Sequence, residues 1–200
     1  MLHNIRHRKY FDNISLSYEI RVIEYQNRGN KPPIVIIFFY LFKFWHALRF
    51  TTLCHLVIQL HNTPDITEQR VLVSFINKYI TAECPDPTTI YSDPEVAQLQ
   101  AKYCNLVNTC MVHKCYPSAE GGCLDDMGKC KRNYDNDTLV PETYLDDRGF
   151  PVYRRRTQKD LRVVPHNRLM LLDWDGHVNV EYSASTYTLS LNLLELSTIY

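Results

Sequence analysis

The chain has 200 residues, with 22 Lys+Arg balancing 22 Asp+Glu, and seven cysteines. That length allows one ordinary domain or two small ones, and zero net charge excludes a partner chosen by global charge alone. An odd cysteine count, with no secretory leader pattern at the start, points to a reducing compartment, where clustered cysteines bind metal rather than pair as disulfides.

Taken in chain order, residues 15–25 (SLSYEIRVIEY) alternate polar and apolar, which predicts a strand. Asn27-Arg28-Gly29-Asn30 marks a turn, and Pro32-Pro33 bars a helix. Ile34–Phe42 (IVIIFFYLF) is an apolar run that continues through Lys43, His46 and Arg49 to Leu60. A membrane helix needs roughly 20 apolar residues, and charges near its centre are costly, so a membrane span is disfavoured against a buried segment. His55–Leu60 (HLVIQL) predicts a second strand. Glu68–Thr81 predicts a helix, with Val71, Leu72, Phe75, Ile76 and Tyr79 at three- and four-residue spacing. Pro85 and Pro87 end it. Asp93-Pro94-Glu95 starts a helix over Val96–Cys110. Residues 131–162 are turn-rich. Val163-Val164-Pro165 and Leu169–Leu172 predict short buried strands, and His177–Glu181 alternates again.

The densest chemistry is Cys110-x2-His113-x-Cys115-x7-Cys123-x6-Cys130, interrupted by Gly121-Gly122 and Gly128. Thiolates and an imidazole at short spacing, joined by glycine turns, suit a tetrahedral zinc site. The competing reading is a set of small buried hydrophobes, which fits Cys84 and Cys104 better. Charge is unevenly spread: residues 1–49 hold eight Lys/Arg against three acids, and cations return at Lys129, Lys131, Arg132 and Arg154-Arg155-Arg156. Arg154, Arg155 and Arg156 fit a single-stranded DNA backbone, with Tyr153 stacking on a base; a solvated surface is the bland alternative.

Longer words carry a resemblance. MVHKC (111–115), CLDDMGKCKR (123–132), LDDRGFPVYRRR (145–156) and DLRVVPHNRLMLLDWDGHVNVEY (160–182) resemble the Helitron helicase-like region, the initiator part of rolling-circle transposases. RVIEYQNRG (21–29), HLVIQLHNTPDIT (55–67) and KYITAECPDP (78–87) are similar to the same family. The resemblance implies an α+β fold, a Rep-like antiparallel sheet with flanking helices and a small Cys/His-rich insertion. It singles out His113, Cys115, Cys123 and Cys130 as the zinc set, with Cys110 in reserve. It implies single-strand DNA cleavage: two histidines flanking one hydrophobic residue hold magnesium or manganese, and a tyrosine attacks the phosphate. An intracellular, nuclear location follows by the same analogy. No phosphate-loop motif GxxxxGK[ST] is present for a helicase motor.

Two departures shape the expectation. His55 falls where the second histidine belongs, and Leu53, two positions earlier, cannot ligate a metal. Residues 30–54 read as a foreign apolar insert, like translated non-coding sequence, and His46 is too far upstream to substitute. After HVNVEY the paired-tyrosine word is absent; Tyr187 and Tyr200 are thirteen positions apart. The chain is therefore expected to be a truncated, inactive transposase fragment with no intact catalytic residue and a lost magnesium or manganese site. The alternatives are a zinc-stabilised nucleic-acid or protein-binding module and, behind it, a small membrane-associated protein. Expected units are 1–103 (interrupted strand and helix segment), 104–182 (Cys/His region) and 183–200 (divergent tail). Glu24, Gln26, His177 and Glu181 fit either supporting roles at a catalytic metal or plain strand roles.

Overall fold

The computed structural model describes the backbone of 16–20, 34–41 and 52–60 and, with side chains, residues 68–117, 122–132, 134 and 138–183. It is α+β, as expected. Strands β1 (Leu16–Ile20), β2 (Ile34–Leu41), β3 (Thr52–Leu60) and β6 (Asn179–Ser183) form an antiparallel sheet in the order β1-β3-β2-β6. Helices α1 (Gln69–Tyr79), α2 (Pro94–Leu106) and α3 (Arg168–Trp174) and a hairpin of β4 (Tyr144–Leu145) with β5 (Pro151–Val152) complete the described elements.

β2 lies inside residues 30–54, the stretch expected to be an insert. It pairs with β3 from Ile34↔Gln59 to Leu41↔Thr52 and with β6 from Ile34↔Ser183 to Phe38↔Asn179. The run IVIIFFYL forms a sheet strand; β-branched and aromatic residues favour that conformation. Strands from both sides of position 103 share one sheet. Among the described residues no helix is long and apolar enough to cross a membrane. Glu24, Gln26, His46, Tyr187 and Tyr200 lie outside the described residues.

The helices begin where their caps stand. The Asp93 carboxylate accepts from the N–H of Glu95 at 2.8 Å, and Pro94 opens α2. α2 passes into a π-helical turn over Val107–Met111, which releases two carbonyls from the helical ladder. The Cys110 carbonyl accepts from His177 Nδ1 at 2.8 Å, and the Met111 carbonyl accepts from Val164 N–H at 2.8 Å. Leu169–Leu172 is helical, not extended as expected. A four-residue apolar run carries no period of its own, and the Asn167 side chain, accepting from Met170 N–H at 3.0 Å, starts α3 just before it. Val163 makes only an isolated bridge to Val112.

The core centres on Tyr103, Leu106, Val107, Met111, Val163, Val164, Leu171 and Leu172. At its edge His166 is fully buried. Its Nδ1–H donates to the Val164 carbonyl at 2.8 Å, so Nε2 accepts from the Tyr103 hydroxyl at 2.9 Å. Its backbone pairs with Thr81, and Asn167 Nδ2 donates to the Tyr79 carbonyl at 2.9 Å, so the end of α1 is tied to the start of α3. Burial pulls the His166 imidazole down to about 4 from its ordinary value.

The fold thus favours neutral His166. Its contribution is whole above about pH 6.5 and is lost as pH falls from there toward 4, roughly 3 kcal/mol across the window. Urea unfolding followed by circular dichroism should show stability declining over that range. In His166→Gln the decline should be shallower.

Candidate metal centre

Four side chains from a cysteine-rich loop converge. His113 follows the π-helical turn and is fixed by its backbone N–H, which donates to the Arg162 carbonyl at 2.7 Å. Cys115 stands two residues on. Cys123 and Cys130 stand at the ends of a small hairpin closed by Asp125 N–H to Lys129 carbonyl and Lys131 N–H to Cys123 carbonyl, both 2.8 Å. The Asp125 carboxylate accepts from Met127 and Lys129 N–H at 2.9 and 2.8 Å and so shapes the turn. Gly128 takes φ +77°, where a side chain would be strained. Gly122 passes so close to the Tyr116 and Pro117 carbonyls that a Cβ would collide with them, and its N–H donates to Pro117 at 3.0 Å.

The ligand atoms of His113, Cys115, Cys123 and Cys130 lie within 4.8 Å of one another. His113 Nε2 is 3.2 Å from Cys123 Sγ and 3.3 Å from Cys130 Sγ, and the two sulfurs are 3.7 Å apart. That sulfur separation is far longer than a disulfide bond, and Cys115, Cys123 and Cys130 form no disulfide. Burial, then hydrogen bonds with Cys123 and Cys130, push the Cys115 thiol up to about 12. Burial acts the same way on Cys130, yet backbone N–H groups of Tyr134 and Arg132 and the neighbouring thiols hold it below its ordinary value. A cluster so divided can ionise fully only around a cation. The cluster could therefore hold a metal ion. Arg162 brings Nη1 to 3.9 Å from Cys115 Sγ, which places a positive charge beside the thiol set.

Cys110 does not join them. Its side chain packs at the edge of the core, with Thr109 Oγ1 at 3.5 Å, so the reserve role is not taken. Cys104 lies 3.6 Å from Gln100 Nε2 on α2, and the Cys84 thiol donates to the Lys159 carbonyl at 3.4 Å.

The expected DNA-contacting set is placed differently from its sequence reading. Tyr153 is only 6% exposed, and its hydroxyl accepts from Tyr182 N–H at 3.0 Å; its ring belongs to the core and offers no stacking face. Arg154 grips Glu83 Oε2 through Nε and Nη2 at 2.9 and 2.7 Å, and Arg156 Nε reaches Glu83 Oε1 at 2.7 Å. Arg155 turns inward to the Tyr153 and Val163 carbonyls at 3.3 and 3.0 Å, and burial lowers its pKa. One carboxylate thus occupies two of the three guanidinium groups. His55 stands on β3 opposite Phe38, with its side chain outside the described residues. His177 bonds to Cys110 while Glu181 accepts from Asn179 at 3.0 Å, so each has its own partner.

Glu83, Asp160 and Tyr134 were missed from sequence. Asp160 is buried and accepts from the N–H groups of Cys84, Arg156 and Thr157 at 2.7, 3.1 and 2.8 Å. Thr157-x2-Asp160 has capping-box spacing, a signal that could have found it. Comparison with protein-family models and with curated proteins finds no match to this chain.

Two outcomes follow. Elemental analysis should find about one equivalent of bound divalent metal, lost in Cys123→Ser and in Cys130→Ser and kept in Cys110→Ser. Glu83→Gln should lower the unfolding free energy by about 1–3 kcal/mol, since it weakens charge-assisted bonds to two guanidinium groups; chemical denaturation measures it.

Proposed function

We propose that this chain is part of a Helitron-type rolling-circle initiator whose Cys/His loop is held by structural zinc, and that it does not cut DNA by itself. The observation that carries this is the convergence of His113, Cys115, Cys123 and Cys130, supplied by the two quoted words MVHKC and CLDDMGKCKR. Zinc bonds of about 2.3 Å to sulfur and 2.0–2.1 Å to nitrogen imply tetrahedral edges of about 3.5–3.8 Å. The edges of 3.2, 3.3 and 3.7 Å are near that range. Three soft thiolates and one imidazole favour zinc over magnesium or calcium. Four protein donors leave no open position, which is the mark of a structural rather than a catalytic site.

Lack of cleavage rests on Leu53. A leucine two residues before His55 removes half of the imidazole clamp that would polarise a phosphate. A second reading, a zinc-stabilised module that binds nucleic acid or protein, is supported by exposed Lys114, Lys129 and Arg132 around the loop, together with Tyr116 at 52% exposure. These groups, with Arg156, are the cations such a surface would use, and single-stranded DNA is the partner to try first.

Incubating the chain with labelled single-stranded DNA and magnesium or manganese should give neither nicks nor a covalent 5′ adduct. An adduct would remove the inactive reading. Metal analysis of the purified chain should find zinc; its absence under reducing conditions would remove the structural-zinc reading.

A further inference from the structure

One aromatic residue outside the cysteine pattern joins the metal loop to the core. The Tyr134 ring lies nearly flat on the His113 imidazole, with centroids 4.3 Å apart and planes 19° apart. Tyr134 also packs against the buried cluster that includes Met111, Val163 and Leu171. Its backbone N–H donates to Cys130 Sγ. It therefore touches two of the four ligands in different ways, and the core in a third.

The stack has a geometric consequence for the imidazole. His113 Nε2 points to both Cys123 and Cys130, at 3.2 and 3.3 Å. Rotation about the His113 Cβ–Cγ bond would swing Nε2 off that point and drive the ring edge into the face of Tyr134. An aliphatic side chain of similar volume would fill the space without fixing the plane. Groups behind the ligands commonly set ligand orientation and metal affinity in this way.

We propose that Tyr134 is a positioning residue for the metal centre: its ring sets the plane of His113, so that Nε2 is aimed at the point shared with Cys115, Cys123 and Cys130, and it thereby couples metal loading to the core. This rests on the metal reading above. It adds a residue that holds no metal itself and whose loss should alter the coordination of an intact ligand set.

The test uses the full chain. Zinc affinity is measured by competition with a chromophoric chelator, and coordination by the visible spectrum of the cobalt(II) form. Tyr134→Phe should bind zinc within about twofold of wild type, with the same cobalt spectrum. Tyr134→Leu should bind about tenfold or more weakly, and its cobalt spectrum should move toward that of His113→Ala. A leucine variant with wild-type affinity and spectrum overturns the proposal, as does a phenylalanine variant weakened as far as the leucine one. If the wild-type chain binds neither zinc nor cobalt, the metal reading itself fails.

Should Tyr134→Leu not fold, 4-fluorophenylalanine at position 134 supplies the second measurement. Zinc should shift its fluorine resonance in the chain bearing His113. In His113→Cys, which keeps four donors but removes the stacked ring, the shift should be much smaller; equal shifts in both overturn the proposal.

Discussion

Three sulfur atoms and an imidazole nitrogen within 4.8 Å of one another cannot all carry their metal-binding charge states without a cation among them. Much of the loop's geometry follows from that constraint. Cys115 is held protonated and Cys130 is held toward the thiolate, by opposing causes at neighbouring positions. A divalent ion would leave three thiolates with one net negative charge, and Arg162 stands beside Cys115 to offset it. Met127 is 81% exposed at the hairpin tip, so apolar burial contributes little there. Turn hydrogen bonds, two glycines and the ligand set shape the loop, and Tyr134 ties it to the core.

Away from the loop, buried polar groups join segments far apart in sequence. Asp160 ties the 156–160 turn to Cys84, and His166 and Asn167 tie the start of α3 to the end of α1. The two anions that organise this region differ in exposure and in partners. Asp160 is buried and satisfied by backbone N–H groups. Glu83 is closer to the surface and satisfied by Arg154 and Arg156. Glu83 already engages Arg154 through two nitrogens and Arg156 through Nε alone, so a phosphate approaching either arginine would compete with that carboxylate, less so at Arg156, which is 59% exposed.

The α+β class, β3, both long helices and the four ligand residues were legible in the sequence because each left a local mark: alternation, three- and four-residue spacing, a Pro at a helix start, short Cys/His spacing. Other features left none. Leu169–Leu172 has no period over so few residues, and only the Asn167 cap turned it into a helix. The arginine run read as a DNA-contacting or solvated face because Glu83 lies more than 70 positions away. Tyr153 looked like a stacking platform because a lone tyrosine beside cations carries no burial signal, yet its hydroxyl is used by Tyr182. Tyr134 sits in polar text, and its contact with His113 spans 21 positions.

The metal loop and the cleavage chemistry implied by the resemblance draw on different parts of the chain. The contacts of the four ligands described above are made within 113–134 and at Arg162, and none of them requires a strand of the β1-β3-β2-β6 sheet. The resemblance would put a cation for cleavage instead on β3, at His55 with Leu53 two residues before it, paired opposite Phe38 and Tyr40 of β2. A change confined to β2 and the start of β3 can therefore remove one chemistry and leave the other standing. The reverse does not follow. Val112 bridges to Val163, and Tyr134 lies on the same core that Met111 and Leu171 build, so emptying the metal loop would loosen residues that carry the fold itself. A chain lacking the phosphate-polarising clamp, as proposed above, would therefore still have a physical reason to keep its thiols in place.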